Sequence, residues 1–358
     1  MSSVCFYKPN NSNFMFRNPI NVSRRSLALL TALLVGVGIA LTACKDDNEN
    51  PNTISPLSNI TDLVTSGAQF TLLEAAVVKA GLATTLSGTG PFTVFAPTDD
   101  AFRAAGFADV TAINSFTNTD ALRNILLYHV VSGNYTAASL PTSQTALPTS
   151  LSANGTVYVS KAASTSGTTG TNLSINGARV VQADVQASNG TVHVIDQVLM
   201  PPTNNILQLA VADTTLSLLA AAAARGGAAV TGALSGSTAL TVFAPTNAAF
   251  RAAGLGTVTA VNAASVSALT GILTNHVVVN PPRAFSPTLT NGPITTFGTG
   301  TVTATVGTGN AVTLTSRGNA GQVSNVLSNT LVNGALVRNR DINATNGVIH
   351  KIDRVLLP

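Results

Sequence analysis

The sequence predicts an α+β fold repeated twice along one chain. Three observations predict it: two long blocks recur nearly unchanged, each copy opens on apolar residues at helical spacing, and each copy closes on apolar residues alternating at period two. Helices gathered before antiparallel strands make each copy an α+β domain.

The repeat sets the boundaries. Thr93-Val94-Phe95-Ala96-Pro97-Thr98-Asp99-Asp100-Ala101-Phe102 returns as Thr241-Val242-Phe243-Ala244-Pro245-Thr246-Asn247-Ala248-Ala249-Phe250, an offset of 148. Asn189-Gly190-Thr191-Val192-His193-Val194-Ile195-Asp196 is answered by Asn346-Gly347-Val348-Ile349-His350-Lys351-Ile352-Asp353, an offset of 157. His129 and His276 stand 147 apart, so the second copy carries about ten extra residues between His276 and Asn333, a longer loop or hairpin. The domains are therefore expected at 56–201 and 202–358, with Pro201-Pro202-Thr203 as a short stiff linker.

Ahead of them, residues 1–43 read as an export leader. Arg24 and Arg25 precede an apolar run over 27–41, too short to span a bilayer and ending on small residues. Leu41-Thr42-Ala43-Cys44 resembles the lipobox of bacterial lipoproteins, which implies that Cys44 is acylated and begins the mature chain. Met15 is an alternative start. Residues 44–55 form a polar tether, and their Lys45-Asp46-Asp47 start resembles lipoprotein surface-export signals. These features predict a bacterial envelope protein, lipid-anchored at the outer membrane and exposed at the surface.

Removing the leader also removes the basic charge. Lys8, Arg17, Arg24 and Arg25 leave with it and no acid does, so 18 − 4 = 14 basic residues face 14 acidic ones. The mature chain is formally neutral, which takes away the electrostatic basis for binding nucleic acid. With Cys5 in the leader and Cys44 at the anchor, the folded part has no cysteine, excluding disulfides and thiolate chemistry.

Within each copy the elements follow from the pattern. Phe70, Leu72, Leu73, Ala76, Val77 and Ala80 form an apolar stripe ending at Gly81; Leu216, Leu218, Leu219 and the alanines 220–224 repeat it before Gly226. Thr93 to Ala96 reads as a short buried strand, followed by Thr98 or Asp99 as the cap of a helix carrying Ala101 and Phe102. Farther on, Val157 alternates with Val159, and Val302, Ala304 and Val306 precede Val312 and Leu314. Asn176-Gly177 and Asn333-Gly334 are two-residue hairpin signals.

The two blocks, with the Tyr128-His129 pair between them, resemble the fasciclin domain in its expected order. The resemblance implies two tandem fasciclin-like domains, each a β-sheet wedge with helices packed on it, of a kind common in secreted or anchored adhesion and matrix proteins. It implies a cell-surface adhesion or ligand-binding lipoprotein whose partner is a protein or glycan; the alternative is a structural spacer of the envelope. In animal members the Tyr-His pair has been assigned to integrin binding, making Tyr128 and His129 a possible interaction motif, although core or capping packing is the first expectation for Tyr128. Asn275 precedes His276, so the second copy departs from the pattern and function is sought first in domain one.

All four histidines, His129, His193, His276 and His350, lie in or beside these motifs. A metal site is not expected: no His-Glu-x-x-His occurs, and Glu49 and Glu74 are the only glutamates. Nor is a hydrolytic triad. His193 and Asp196, like His350 and Asp353, are three apart on an expected strand and so point to opposite faces, and no Gly-x-Ser-x-Gly elbow is present. His193, Asp196, His276, His350 and Asp353 are expected to be structural, and no cofactor is implied. The Thr-, Ser-, Gly- and Asn-rich stretches 162–172 and 297–310 are expected as exposed loops and hairpins, a candidate polar recognition surface.

Overall fold

The computed structural model describes residues 57–161, 173–298, 300–307, 311–319, 322–332, 335–337 and 339–358. The leader, the tether with Cys44, and the stretch 162–172 lie outside the described residues.

The first domain opens on α1 (Ile60–Ser66), α2 (Thr71–Lys79) and α3 (Ala83–Leu86). Asn59 and Asp62 form a reciprocal capping box that starts α1. The predicted stripe is the buried face of α2, with Leu72, Leu73, Ala76 and Val77 inside. After β1 (Phe92–Pro97), Thr98 caps α4 (Asp99–Ala104) by accepting from the Ala101 N–H. Asp99, the other candidate, caps a neighbour instead: its Oδ1 accepts from Leu72 N at 2.8 Å and closes the first turn of α2. Then come α5 (Val110–Ser115), α6 (Thr119–Tyr128), β2 (Val130–Ser132), β3 (Thr145–Pro148), β4 (Thr156–Lys161), β5 (Leu173–Ile175), β6 (Ala178–Ala187) and β7 (Gly190–Ile195).

The seven strands form one sheet in the order β2-β1-β7-β6-β5-β4-β3. Its neighbours are antiparallel except β1 and β7, which run parallel with Phe92 opposite Gly190 and Pro97 opposite Ile195. A bridge between Val131 and Thr149 draws the two edge strands together, so the sheet curls into a nearly closed wedge. Register shifts between Val180 and Val185 bend β6 around the corner. Asn176 and Gly177, at φ 47° and 86°, make the tight turn from β5 to β6 that their sequence predicts.

Because β1 is central, both its faces are buried. Val94 and Ala96 face a core shared with the helices, including Phe102, Leu73 and Leu126. Phe95 faces a second core inside the wedge, with Val157, Ile175 and Ile195. A continuous apolar run is what a parallel strand covered on both sides requires.

The second domain repeats the plan with α7 (Ile206–Ala212), α8 (Ser217–Arg225), α9 (Ala228–Ser235), β8 (Leu240–Pro245), α10 (Asn247–Ala252), α11 (Val258–Ala263), α12 (Val266–Asn275) and β9 (Val277–Val278). Its strands continue as β10 (Gly292–Thr295), β11 (Thr301–Val306), β12 (Val312–Ser316), β13 (Ser324–Asn325), β14 (Thr330–Val332), β15 (Ala335–Val337), β16 (Ile342–Ala344) and β17 (Gly347–Ile352). Again the last strand, β17, lies parallel to the first, β8. β12 and β13, joined through a turn of 3-10 helix at Arg317–Asn319, take the places of β5 and the start of β6. The extra residues lie farther along than the spacing of His276 and Asn333 suggests, in the β14–β15 hairpin: Asn325 N on Asp353 repeats Arg179 N on Asp196 at an offset of 146, whereas Asp341 N on His350 repeats Asp184 N on His193 at an offset of 157. Much of 297–310, expected as loop or hairpin, is the strand β11 paired with β10 and β12. β14 and β15 pair antiparallel around Asn333-Gly334, which lie outside the described residues. No single helix among the described residues is long and apolar enough to cross a membrane.

Candidate functional site

The four histidines form two matched pairs, one pair per domain. His129 ends α6 and is 2 % exposed; His276 ends α12 and is 1 % exposed. The Nε2 atom of His129 faces the Leu199 N–H at 2.9 Å and can only accept from it, so Nδ1 carries the proton and donates to the Ile125 carbonyl at 2.7 Å. In domain two, His276 accepts from Leu356 N at 2.8 Å and donates to Ile272 O at 2.8 Å. Each imidazole fastens the segment after the last strand to the end of a helix. Burial pulls both down to about 4, because no charged partner offsets the lost hydration.

His193 on β7 and His350 on β17 are fully buried and use the opposite tautomer. Their Nε2 atoms donate to Tyr135 O at 2.8 Å and Ala284 O at 2.7 Å. Their Nδ1 atoms accept from the backbone N–H of Asp184 and Asp341, each at 3.3 Å. Burial lowers the pKa of both, against a smaller opposing pull from the carbonyl each ring donates to and from the neighbouring aspartate. The rings stack on Phe95 and Phe243 at 5.7 and 5.6 Å. With both nitrogens of every ring bonded to backbone, none of the four has a free lone pair for a proton relay or a metal.

The aspartates of the closing block point elsewhere. Asp196 binds Arg179, accepting from its backbone N at 2.8 Å and its Nε at 2.9 Å. Asp353 accepts from the N–H and the side-chain amide of Asn325 at 2.7 and 2.6 Å. Each pins the strand end to a neighbouring strand, and neither touches its histidine. Among the described residues no group of three or more His, Cys, Asp or Glu could hold a metal ion.

Tyr128 and His129 both face inward, so the pair presents no surface to an outside partner; Tyr128 meets the second domain instead. Its hydroxyl donates to Thr156 O at 2.8 Å and accepts from the Asn176 amide at 2.9 Å and, across the junction, from the Asn343 amide at 3.1 Å. Burial pushes the phenol up to about 12. Beside it Arg283, buried in the second domain, donates to the carbonyls of Ala344, Gly347 and Thr345 at 2.9, 3.0 and 2.7 Å. Its guanidinium lies 4.7 Å from the centre of the Tyr158 ring of domain one, and its own carbonyl accepts from Gln144 at 2.8 Å. At Gly177 a Cβ would stand 2.5 Å from Asp341 Cγ. The domains meet without room for a side chain there. In the second copy Asn275 replaces the tyrosine and is consumed internally, on Leu356 O and the Thr296 hydroxyl.

Other groups that matter were not singled out from the sequence. Asn189 and Asn346, the first residues of the closing block, each accept from the first helix of their domain, at Ile60 N and Ile206 N, both 2.9 Å. Each also donates to a carbonyl at the end of the third helix, Leu86 or Leu234, and to one in the loop after it, Gly88 or Gly236. Their place in both repeats was the available signal. Asp184 and Asp341, at φ 58° and 56°, left no such signal, because their role depends on the bend in the strand.

These geometries belong to a known architecture. The fasciclin domain family model matches residues 68–201 and 214–358. The chain is similar to Protein sll1483 of Synechocystis sp., 36% identical over 178 residues, spanning 48% of this chain and 93% of that one. It is also similar to the transforming growth factor-beta-induced protein ig-h3 of Sus scrofa, 29% identical over 274 residues, which are 76% of this chain but only 35% of ig-h3. Among solved structures, the FAS1 domain pair from the insect cell adhesion molecule fasciclin I matches with 20% identity and a TM-score of 0.36, over 80% of this chain and 96% of that one. With the family model covering most of its length twice in tandem, the chain belongs to the fasciclin domain family.

Proposed function

We propose that the mature chain is a cell-surface adhesion or ligand-binding lipoprotein without catalytic activity, held at the bacterial outer membrane by an acylated Cys44. One observation carries this reading. The four histidines are turned inward with their ring nitrogens bonded to backbone, and Asp184 and Asp341 beside two of them accept from backbone N–H groups. What remains for a partner is an exterior of low charge, rich in Thr, Ser, Gly and Asn, carried on a braced scaffold. Family membership supports the same reading. Neutral net charge after the leader is removed supports a protein or glycan partner over nucleic acid.

The second reading, an envelope spacer, is supported by the polar junction at Tyr128 and Arg283, which ties the domains into a defined arrangement. Two measurements separate them. Protease applied to intact cells should digest the protein, and Cys44→Ala should release it from the membrane. The purified chain should bind specifically in panels of cells, matrix proteins or glycans, whereas absence of binding across all three leaves only the spacer.

A further inference from the structure

Each domain has an apolar cavity at the same place, between its first helices, its first strand and the helix that ends on histidine. In domain one it measures about 30 Å³, walled by residues including Val64, Leu73, Leu127 and His129. In domain two it measures about 100 Å³, walled by residues including Ala210, Leu219, Thr274 and His276.

The repeat explains the difference. Ala210 stands five residues after the cap Asn205, where Val64 stands five after the cap Asn59. Thr274 lies two residues before His276, where domain one has Leu127 before His129. Both exchanges trim hydrocarbon from the wall. Phe297 occupies the position of Ser150, since Phe297 N donates to Val277 O as Ser150 N donates to Val130 O. This phenylalanine lines the cavity yet is 54% exposed, so it forms a rim and does not fill the space.

The wall selects the chemistry. His276 has both nitrogens on backbone, and the Thr274 hydroxyl donates to Thr270 O at 2.8 Å. Among the described residues no buried side-chain nitrogen or oxygen lacks a partner. A polar guest would lose its own hydration with almost nothing to replace it. Dry apolar cavities of about 150 Å³ accept benzene or xenon, so roughly two thirds of that volume suits a small hydrocarbon group.

We propose that the cavity beneath Phe297 in domain two is a binding site for an uncharged hydrocarbon group of roughly six carbons, either a small apolar molecule or the end of an alkyl chain. The site is independent of any adhesive surface, and its test does not depend on that reading.

The test uses the full chain carrying Cys44→Ala, so that no acyl group of its own competes, with benzene, n-hexane and dodecanoate as probes and phenol as the polar control. At about ten times its dissociation constant, a bound probe raises the melting temperature of the second domain by roughly 3–6 °C. Phenol binds at least tenfold more weakly than benzene. Restoring the domain-one residues with Ala210→Val and Thr274→Leu raises the melting temperature without probe and weakens probe binding at least tenfold. If that variant fails to fold, Ala210→Val alone should weaken binding about threefold. A response to dodecanoate together with hexane identifies an alkyl-chain end as guest, and a response to benzene or hexane alone identifies a small apolar molecule. No shift with any of the three, or an unchanged shift in the filled variant, overturns the proposal.

Discussion

Acidification should loosen both domains through the two capping histidines. His129 and His276 sit at about 4 in the fold against 6.5 when free, so between those values the unfolded chain binds more protons than the folded one. Their contribution is complete above pH 6.5 and is lost as pH falls toward 4. A difference of 6.5 − 4 = 2.5 units corresponds to about 3 kcal/mol per histidine in total, of which about 2 kcal/mol has gone by pH 5. His193 and His350 shift in the same direction and steepen the loss. Urea titrations at pH 7, 6 and 5 should show each domain's midpoint falling by about 1 M across the series, for a denaturant slope near 2 kcal/mol/M. His129→Gln, which cannot titrate, should lower domain one's stability at pH 7 and flatten its pH dependence, leaving that of domain two intact. Flat midpoints from pH 7 to 5, or an imidazole titrating near its free value in the folded protein, would refute the reasoning.

Three further outcomes are expected. Asn346→Ala removes three hydrogen bonds and strands Ile206 N, Leu234 O and Gly236 O, so chemical denaturation should show a loss of about 2–4 kcal/mol in domain two. Tyr128→Phe leaves Thr156 O and two amides without the hydroxyl, so it should cost about 1–3 kcal/mol and speed proteolysis at the 201–203 linker. In Gly190→Ala the new Cβ would sit 2.0 Å from Phe92 O, against the central parallel pair, so circular dichroism should show domain one unfolded while domain two still melts cooperatively.

Much of the fold was legible because the chain states its plan twice. The stripe of α2, the strand Thr93 to Ala96 and the turn Asn176-Gly177 were readable from spacing, since helix, strand and hairpin each impose a local period. The separation of His193 from Asp196 was readable from the alternation of a strand. Other features depended on distant chain and were not. The bend in β6 that places the Asp184 N–H on His193 has no local pattern, and Asp99 capping α2 reaches back 27 residues. The junction is the clearest case. Tyr128 reads as an ordinary core residue, and only the position of Asn343, 215 residues later, gives it an interdomain task.

The parallel pairing of first and last strands bears on when the chain can fold. Phe92 finds its partner Gly190 only 190 − 92 = 98 residues later, and Leu240 waits 347 − 240 = 107 residues for Gly347. Neither domain can assemble its central pair until nearly all of its sequence is present, and such distant closure is slow. A polypeptide built this way stays threadable while it is being made. The topology that braces the finished domains also keeps each of them open until its final strand has emerged.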